Sequence, residues 1–354
     1  MIYLYNYIFL FALGGVGDFK YKKFFLVCFL FYLFFIVGFR GEIDPDFLNY
    51  KKIFDLAPSL YFGISDVIDF SKSMGFELIY IFLVSVIKYL NLEFYWVNVV
   101  FSFFSTLFIY KISILLNKKI NLNLFYCSMV IYANSLIGIF VQIRFGLAAL
   151  IVFYALILAF NKSYLTSVVW ALISCFIHSI SFFYFPVVFL YFVFSRVNFN
   201  KKIIFCGLVF LFCLIPLLNI SENLSILFYM INERYSDYDA FGTGNYYGVM
   251  LRVAIIIFFI FLLDFSRLSD LEIGLLFLTV LSVLFWVLSL EMAILYRLGV
   301  LAEFGYVVFL SKGRYKSKYY YYLCFVVLTG LLLSRVIAAS SDLNFYETIF
   351  RRYW

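Results

Sequence analysis

The sequence predicts an all-α protein: a polytopic integral membrane bundle of about 12 transmembrane helices and one re-entrant or interfacial helix. Of the 354 residues, 66% are hydrophobic and 13% are charged, whereas soluble domains are typically about 45–50% apolar and about 25% charged. The apolar residues recur in runs, many of them near the roughly 17–25 residues that a spanning helix needs. Basic residues concentrate in alternate connections between these runs, as the positive-inside rule describes.

The apolar runs divide the chain into candidate spans and one shorter segment. Residues 76–90 are apolar but have only about the length of an interfacial or re-entrant helix. No Pro/Gly/Ser-rich linker, low-complexity run or internal repeat interrupts the sequence, so we expect one integral membrane domain over residues 1–354. The candidate spans are 1–17, 22–39, 94–116, 122–141, 144–160, 163–181, 183–195, 202–219, 247–264, 271–290, 296–311 and 319–338.

Charge asymmetry predicts the orientation of the chain. If 76–90 does not cross the membrane, one side carries 15 basic residues against four acidic ones, and this side is expected to be cytoplasmic. If 76–90 crosses, the asymmetry is lost. The first apolar run precedes its lysines, which is the reverse of a signal peptide, so we expect it to be retained. Both termini and two long loops, 40–75 and 220–246, are then outside, where we expect function because loops on a rigid scaffold often carry it.

Composition also excludes several classes of function. The net charge of +7 is explained by cytoplasmic basic loops, so we expect no nucleic-acid partner. All six cysteines lie in apolar runs without CxxC spacing, and the chain has one histidine. These features argue against a disulfide framework or a metal site, and we expect no metal and no cofactor.

The junction between the second apolar run and the first outer loop is the first candidate site. Arg40 follows an almost uncharged run, and Glu42, Asp44 and Asp46 alternate after it. Gly41 and Pro45 are expected to end the helix and hold these charges in a turn at the membrane face. The alternatives are a solvated loop with a flanking arginine and the entrance of an active site.

Arginines near outer helix ends form the second candidate group. Arg144 and Arg297 each occupy a short connection between apolar helices, with no acidic residue within three positions. A charge at membrane depth is costly, so such arginines face the protein interior or bind an anion, although any single one could snorkel to the interface. Guanidinium groups bind phosphate in a bidentate manner, so a lipid diphosphate fits this group. Its other members are Arg40, Arg252 and Arg335.

His178 is the only histidine and lies near the outer end of the apolar run 163–181, beside Ser179. One interpretation is a hydrogen bond that packs helices together. The functional interpretations are a proton acceptor and a phosphate ligand.

Several short motifs resemble the EpsG-like polysaccharide polymerases, which are related to the Wzy O-antigen polymerases. Gly38-Phe39-Arg40-Gly41, with Asp46 and Tyr50 after it, resembles the family's "GLR…G.D…Y…F" signature. Ile143-Arg144-Phe145-Gly146 resembles its "iRqgiA" helix start, although Phe145 replaces the usual glutamine. Phe176-Ile177-His178-Ser179 resembles "fH.s", and Glu233-Arg234-Tyr235 with Tyr238 resembles a basic outer loop containing tyrosine.

The resemblance implies a metal-independent glycosyltransferase in the bacterial inner (cytoplasmic) membrane, with an active-site cavity open to the outer leaflet. Its substrates would be undecaprenyl-diphosphate-linked oligosaccharide repeat units, with membrane lipids and a chain-length regulator as further candidate partners. The growing glycan would move from its lipid diphosphate to a hydroxyl of the next lipid-linked unit, in O-antigen, capsule or exopolysaccharide synthesis.

On this basis the candidate catalytic residues are Arg144 and Arg297, which would stabilise the departing diphosphate, and His178 or Asp46, which would accept a proton. Asp46 could equally hold Arg40 in place. The candidate substrate-binding residues are Arg40, Tyr50, Arg234, Tyr235, Tyr238, Arg252 and Arg335.

Other functions remain open at this point. A flippase or transporter for lipid-linked sugars would also place arginines in a cavity, but it usually shows repeat-related halves or broken helices, and neither is evident. Another lipid-linked glycosyltransferase, such as an O-antigen ligase, is not separated by sequence. A structural membrane protein would leave the outer arginines unexplained.

Overall fold

Apolar runs form α-helices in the computed structural model of the protein, because a helix satisfies its backbone N–H and C=O groups within one segment. The structure describes residues 2–16, 21–39, 45–140, 142–196, 246–289 and 293–342, with a few positions between 203 and 211. Over these ranges the chain forms helices and 3-10 segments, and its only β-type pairing is an isolated bridge between Leu263 and Tyr315. The all-α prediction is confirmed.

The helices follow one another with short connections. The first nine are α1 (Ile2–Gly15), α2 (Lys22–Gly38), α3 (Pro45–Leu56), α4 (Ile64–Met74), α5 (Leu78–Tyr89), α6 (Tyr95–Ile120), α7 (Leu124–Phe140), α8 (Ile143–Phe160) and α9 (Tyr164–Cys175). They are followed by α10 (Tyr184–Ser195), α11 (Tyr246–Leu262), α12 (Asp270–Leu288), α13 (Ala293–Glu303) and α14 (Lys318–Asp342). Short 3-10 segments include Ser179–Phe183 and Phe304–Leu310.

Four helices among the described residues are long and apolar enough to cross a membrane: α6, α8, α12 and the Lys318–Ile337 part of α14. Several shorter apolar helices accompany them, among them α5 and α9. These spans support an integral membrane protein. The total of about twelve crossings and the orientation stay predictions, and the candidate span 202–219 lies largely outside the described residues.

The segment 40–75, expected to be a loop, is largely helical where it is described. Pro45, expected to stop a helix, is instead the first residue of α3. Proline is favourable at this position because its missing N–H has no partner inside the helix and its φ angle is already helical. α4 comes next and ends at Gly75 in the left-handed conformation. The other expected outer loop, 220–246, lies outside the described residues up to the start of α11.

Two expected helices end earlier than their apolar runs. The run 163–181 is helical only to Cys175, and His178 has an extended backbone before the 3-10 segment Ser179–Phe183. The run 296–311 begins as α13 and continues as a 3-10 segment from Phe304. Here a Cβ atom on Gly305 would lie 2.4 Å from the Leu275 carbonyl oxygen, so the close approach to α12 requires glycine. Hydropathy alone does not show where an apolar run changes from α-helix to extended or 3-10 backbone.

The described residues fall into two compact units, those between 2 and 184 together with 330–342, and those between 185 and 329. The expectation of a single domain over residues 1–354 stays a prediction. In the first unit, α8 is central: 83% of its 18-residue apolar window is buried, and it packs against α6, α7 and α9. Gly146, Ala148 and Ala149 are all buried on α8 and allow close approach of its neighbours.

In the second unit, α12 packs against α11, α13 and the 3-10 segment Phe304–Leu310. Its N-terminus is fixed by a capping box between Ser269 and Glu272. The Glu272 carboxylate is fully buried and also accepts hydrogen bonds from Ser311 Oγ at 2.7 Å and Arg314 Nε at 2.8 Å. One carboxylate therefore connects the start of α12 to the segment that precedes α14.

Candidate functional site

Arg144 lies in the first turn of α8, and aromatic rings and one carboxylate enclose its guanidinium group. Its Cζ atom lies 4.5 Å from the Phe76 ring centroid, 4.9 Å from that of Tyr80 and 5.3 Å from that of Tyr50. Its Nη1 donates a hydrogen bond to Glu77 Oε2. The side chains of Arg144 and Glu77 are 14% and 17% exposed, so the pair is mostly buried but reaches the surface.

Arg144 has an acidic partner, Glu77, which its neighbours in sequence do not reveal. Arg144 has no acidic neighbour within three positions, but Glu77 reaches it from 67 positions earlier. Arg144 is therefore neither a snorkelling flank nor an isolated cation: its charge is held inside the unit by an ion pair and by cation–π contacts.

Glu77 also fixes the segment that carries His178. Its Oε1 atom accepts a hydrogen bond from the Ser179 backbone N–H at 3.0 Å. Two residues further on, the Ile79 N–H donates to the Phe176 carbonyl oxygen at 3.2 Å. These bonds join the start of α5 to the segment after α9, so Glu77 sets the positions of Arg144 and His178 together.

The imidazole of His178 lies beside the same carboxylate. Its Nδ1 atom is 3.9 Å from Glu77 Oε1 and accepts a hydrogen bond from the Ile180 N–H at 3.2 Å. An Nδ1 atom that accepts carries a lone pair, so we assign the neutral tautomer with its proton on Nε2. Of the two functional roles considered from sequence, this geometry fits a hydrogen-bond donor to phosphate or sugar oxygen better than a proton acceptor.

Tyr50 is held at the site by the packing of α3 against α5. Lys88 on α5 places its Nζ 3.1 Å from the Phe54 and Asp55 carbonyl oxygens and 2.5 Å from that of Ala57, which satisfies carbonyls at the end of α3. The Tyr50 ring then lies 5.7 Å from the Tyr80 ring, and its side chain hydrogen-bonds Arg144.

The Arg144 guanidinium keeps capacity for a further acceptor. Its Nε atom is buried and makes no hydrogen bond within the described part of the chain. The guanidinium also lies at the N-terminus of α8, where the helix dipole favours negative charge. The arrangement can therefore bind an oxygen-rich, anionic group such as a phosphate.

A second buried ion pair lies in the second unit. Arg252 on α11 places Nη1 3.5 Å from Oε1 of the fully buried Glu303, and its Cζ lies 3.8 Å from the Trp286 ring centroid. The Tyr306 hydroxyl donates to the same Glu303 oxygen at 3.3 Å. Arg297 is half-buried on α13 in this unit.

The structure brings three of the predicted site residues together: Arg144, His178 and Tyr50. The other predicted site residues lie elsewhere or outside the described residues. Arg335 donates from Nη1 to Asn134 Oδ1 at 2.8 Å in the first unit. Arg144 and Arg297 belong to different units, so their convergence on one pocket stays a prediction. Asp46 is in the first turn of α3, but its side chain lies outside the described part. The structure does not describe Arg40, Arg234, Tyr235 or Tyr238.

Sequence reasoning missed Glu77, the residue that organises this site. The available signal was a single carboxylate at the second position of the apolar segment 76–90. Glu303 was missed in the same way within the run 296–311. Over the described residues, no group of three or more His, Cys, Asp or Glu side chains could hold a metal ion, and the prediction of metal independence stays a prediction.

Comparison with known proteins identifies one family. The family model described as the EpsG family matches residues 23–350. This match includes both ion pairs and every predicted site residue. Neither the curated proteins nor the solved structures contain a match to the chain.

Proposed function

Since the chain belongs to the EpsG family, we propose that it polymerises an extracellular polysaccharide at the outer face of the bacterial cytoplasmic membrane. The reaction transfers a growing glycan from undecaprenyl diphosphate to a hydroxyl of the next lipid-linked repeat unit. The sequence motifs around Arg144 and His178 support the family's polymerase reaction for this chain. The proposed partners are lipid-linked repeat units and a chain-length regulator.

The observation that carries the proposal is the enclosed Arg144 guanidinium. Glu77 and three aromatic rings hold it, and its Nε atom has no hydrogen-bond partner among the described residues. The partly exposed pair therefore offers a cationic donor at a helix N-terminus. A diphosphate leaving group needs such a donor, because negative charge develops on it as the glycosidic bond breaks.

The chemistry needs a positioned cation and a proton route. The bond between the anomeric carbon and the diphosphate oxygen breaks, and the acceptor hydroxyl oxygen forms the new glycosidic bond and loses its proton. Arg144 stabilises the leaving diphosphate, and His178 donates its Nε2–H to a phosphate or sugar oxygen. Asp46 is the proposed acceptor of the hydroxyl proton, and Arg297 remains a proposed second cation.

The test is the lipid-linked glycan profile of cells carrying Arg144→Ala. We expect translocated single repeat units to accumulate and long polymer to be lost, because removing one preorganised donor costs about 10²–10³-fold in rate. Arg144→Lys should restore little, because the ammonium lacks the planar fork. The matched control is Arg267→Ala, which removes an arginine whose side chain is 56% exposed and which pairs with Asp264.

Normal long polymer in Arg144→Ala, at normal protein abundance, contradicts the proposal. Untranslocated precursor in cells lacking the chain indicates a flippase instead. Long lipid-linked polymer that fails to reach its final acceptor indicates a ligase.

A further inference from the structure

Three side chains in the first unit carry buried polar atoms that make no hydrogen bond among the described residues. They are the Tyr80 hydroxyl, both amide atoms of Asn98 and Arg144 Nε. Tyr80 is fully buried and Asn98 is 1% exposed. Buried polar groups are nearly always satisfied by protein, water or ligand, so this concentration indicates that another molecule belongs here.

Helix geometry places Asn98 beside Tyr80. Phe94, Asn98 and Phe101 lie on one face of the chain around the start of α6, at spacings of four and three residues. Phe94 packs on Phe47 of α3 with ring centroids 5.0 Å apart, and Phe101 packs on Tyr80 of α5 at 6.0 Å. Asn98 lies between these two residues in sequence, and helical spacing places it on the side of α6 that contacts α3 and α5.

The same junction leads to Arg144. The Tyr80 ring centroid is 4.9 Å from Arg144 Cζ. The Arg144–Glu77 pair is the partly exposed end of this cluster, whereas Tyr80 and Asn98 are its closed end.

We propose that Asn98 and Tyr80, next to the Arg144 guanidinium, form a subsite that binds hydroxyl groups of the sugar next to the diphosphate. Asn98 and Tyr80 offer both donors and acceptors but no charge, which matches a hydroxyl rather than an ion. The identity of this ligand rests on the proposed function, because the sugar is the one carried by the lipid diphosphate.

The test compares two ligands on the purified full-length protein in detergent. Undecaprenyl diphosphate probes the Arg144 end alone, and the undecaprenyl-diphosphate-linked repeat unit probes both ends. Apparent affinity is measured by the concentration dependence of the thermal unfolding midpoint. The variants are Tyr80→Phe and Asn98→Leu, which remove the polar atoms with little change of volume. Ser85→Ala on α5 is the matched control, since its buried hydroxyl already bonds the Ile81 carbonyl oxygen at 2.9 Å.

We expect wild type and Ser85→Ala to bind the repeat-unit lipid more tightly than undecaprenyl diphosphate. Tyr80→Phe and Asn98→Leu should each reduce this preference by about tenfold, with unchanged affinity for the sugar-free lipid, since a lost hydrogen bond to a substrate hydroxyl weakens only that ligand. A merely structural role would change both affinities together.

The proposal is overturned if wild type shows no preference for the sugar-bearing lipid. It is also overturned if both variants retain the preference, in which case the site holds only water. A wild-type chain that shows the preference but makes no polymer supports the subsite and refutes the polymerase function, so the two failures are distinguishable.

Discussion

Removing the charge of Glu77 should destabilise the first unit while leaving its backbone contacts in place. In Glu77→Gln, an amide oxygen can still accept the Ser179 N–H bond that Oε1 accepts at 3.0 Å. The ion pair with Arg144 is lost, however, and the guanidinium stays enclosed by three aromatic rings. The variant therefore removes the negative charge of residue 77 but keeps its size and its hydrogen bond to the Ser179 N–H.

The expected loss depends on the burial of the pair. Breaking a fully buried pair by removing one partner costs about 3–5 kcal/mol. The two side chains here keep 14% and 17% exposure, and the cation–π contacts remain, so we expect a loss of about 2 kcal/mol. For a unit of this size that corresponds to a fall of roughly 4–8 °C in the unfolding midpoint.

A double-variant cycle separates stability from function. Arg144→Met alone leaves the Glu77 carboxylate unpaired and should cost a similar amount, about 2 kcal/mol. Combining it with Glu77→Gln removes both charges, so the double variant should be more stable than the sum of the single losses predicts. Under the proposed function, its polymer synthesis should remain absent, because the cation proposed to stabilise the leaving diphosphate is gone.

Thermal unfolding of the four purified proteins in one detergent provides the measurement, with the polymer profile of the same four strains beside it. Additive losses within about 0.5 kcal/mol show that the two residues are not coupled and refute the ion-pair argument. Polymer synthesis by the double variant refutes the catalytic role of Arg144 while leaving its structural role intact.

Two other buried groups allow predictions of the same kind. His178→Asn keeps an acceptor for the Ile180 N–H but lacks the Nε2 donor, so stability should be nearly unchanged while polymerisation slows by about tenfold or more; a variant that unfolds early, or one that polymerises normally, contradicts this assignment. Glu272→Ala leaves Ser311 and Arg314 without their buried acceptor and should cost about 3 kcal/mol in thermal unfolding. Asp264→Ala, at the exposed Arg267 pair, is its control and should cost much less.

Helix positions in the centre of the first unit were predictable from sequence. The expected spans 94–116, 122–141 and 144–160 correspond to α6, α7 and α8 at Tyr95–Ile120, Leu124–Phe140 and Ile143–Phe160. Long apolar runs of this kind have one stable backbone arrangement away from water, so composition alone locates them.

Short helices of mixed composition were not predictable by the same argument. α3 and α4 contain lysines and aspartates, and hydropathy therefore assigned residues 40–75 to a loop. Pro45 was interpreted as a helix stop, but a proline at the first helical position is a start signal. The residues after the proline make the distinction, because here they form an amphipathic stretch that buries Phe47, Tyr50 and Phe54.

The sequence predicted which arginines belong to candidate sites, but it did not predict the carboxylates that pair with them. The cost of a charge near apolar helices singled out Arg144 and Arg252. Their partners are Glu77, which precedes α5, and Glu303, which ends α13. Both lie far from the arginines in sequence, so the residues within three positions of each arginine do not include them. Pairings of this kind are set by helix packing, which a single sequence does not reveal.

Under the proposed function, Glu77 would contribute to catalysis as well as to stability. A guanidinium that has to be ordered when substrate arrives loses part of its binding energy to side-chain entropy. At this site, Glu77 and the aromatic rings have already fixed Arg144 during folding, and the Nε edge remains for the ligand. In the proposed reaction, the charge would therefore stabilise the departing diphosphate without reorganisation at the moment of reaction. This explains why a lysine, with a flexible stem and no planar fork, should be a poor replacement even where its charge is retained.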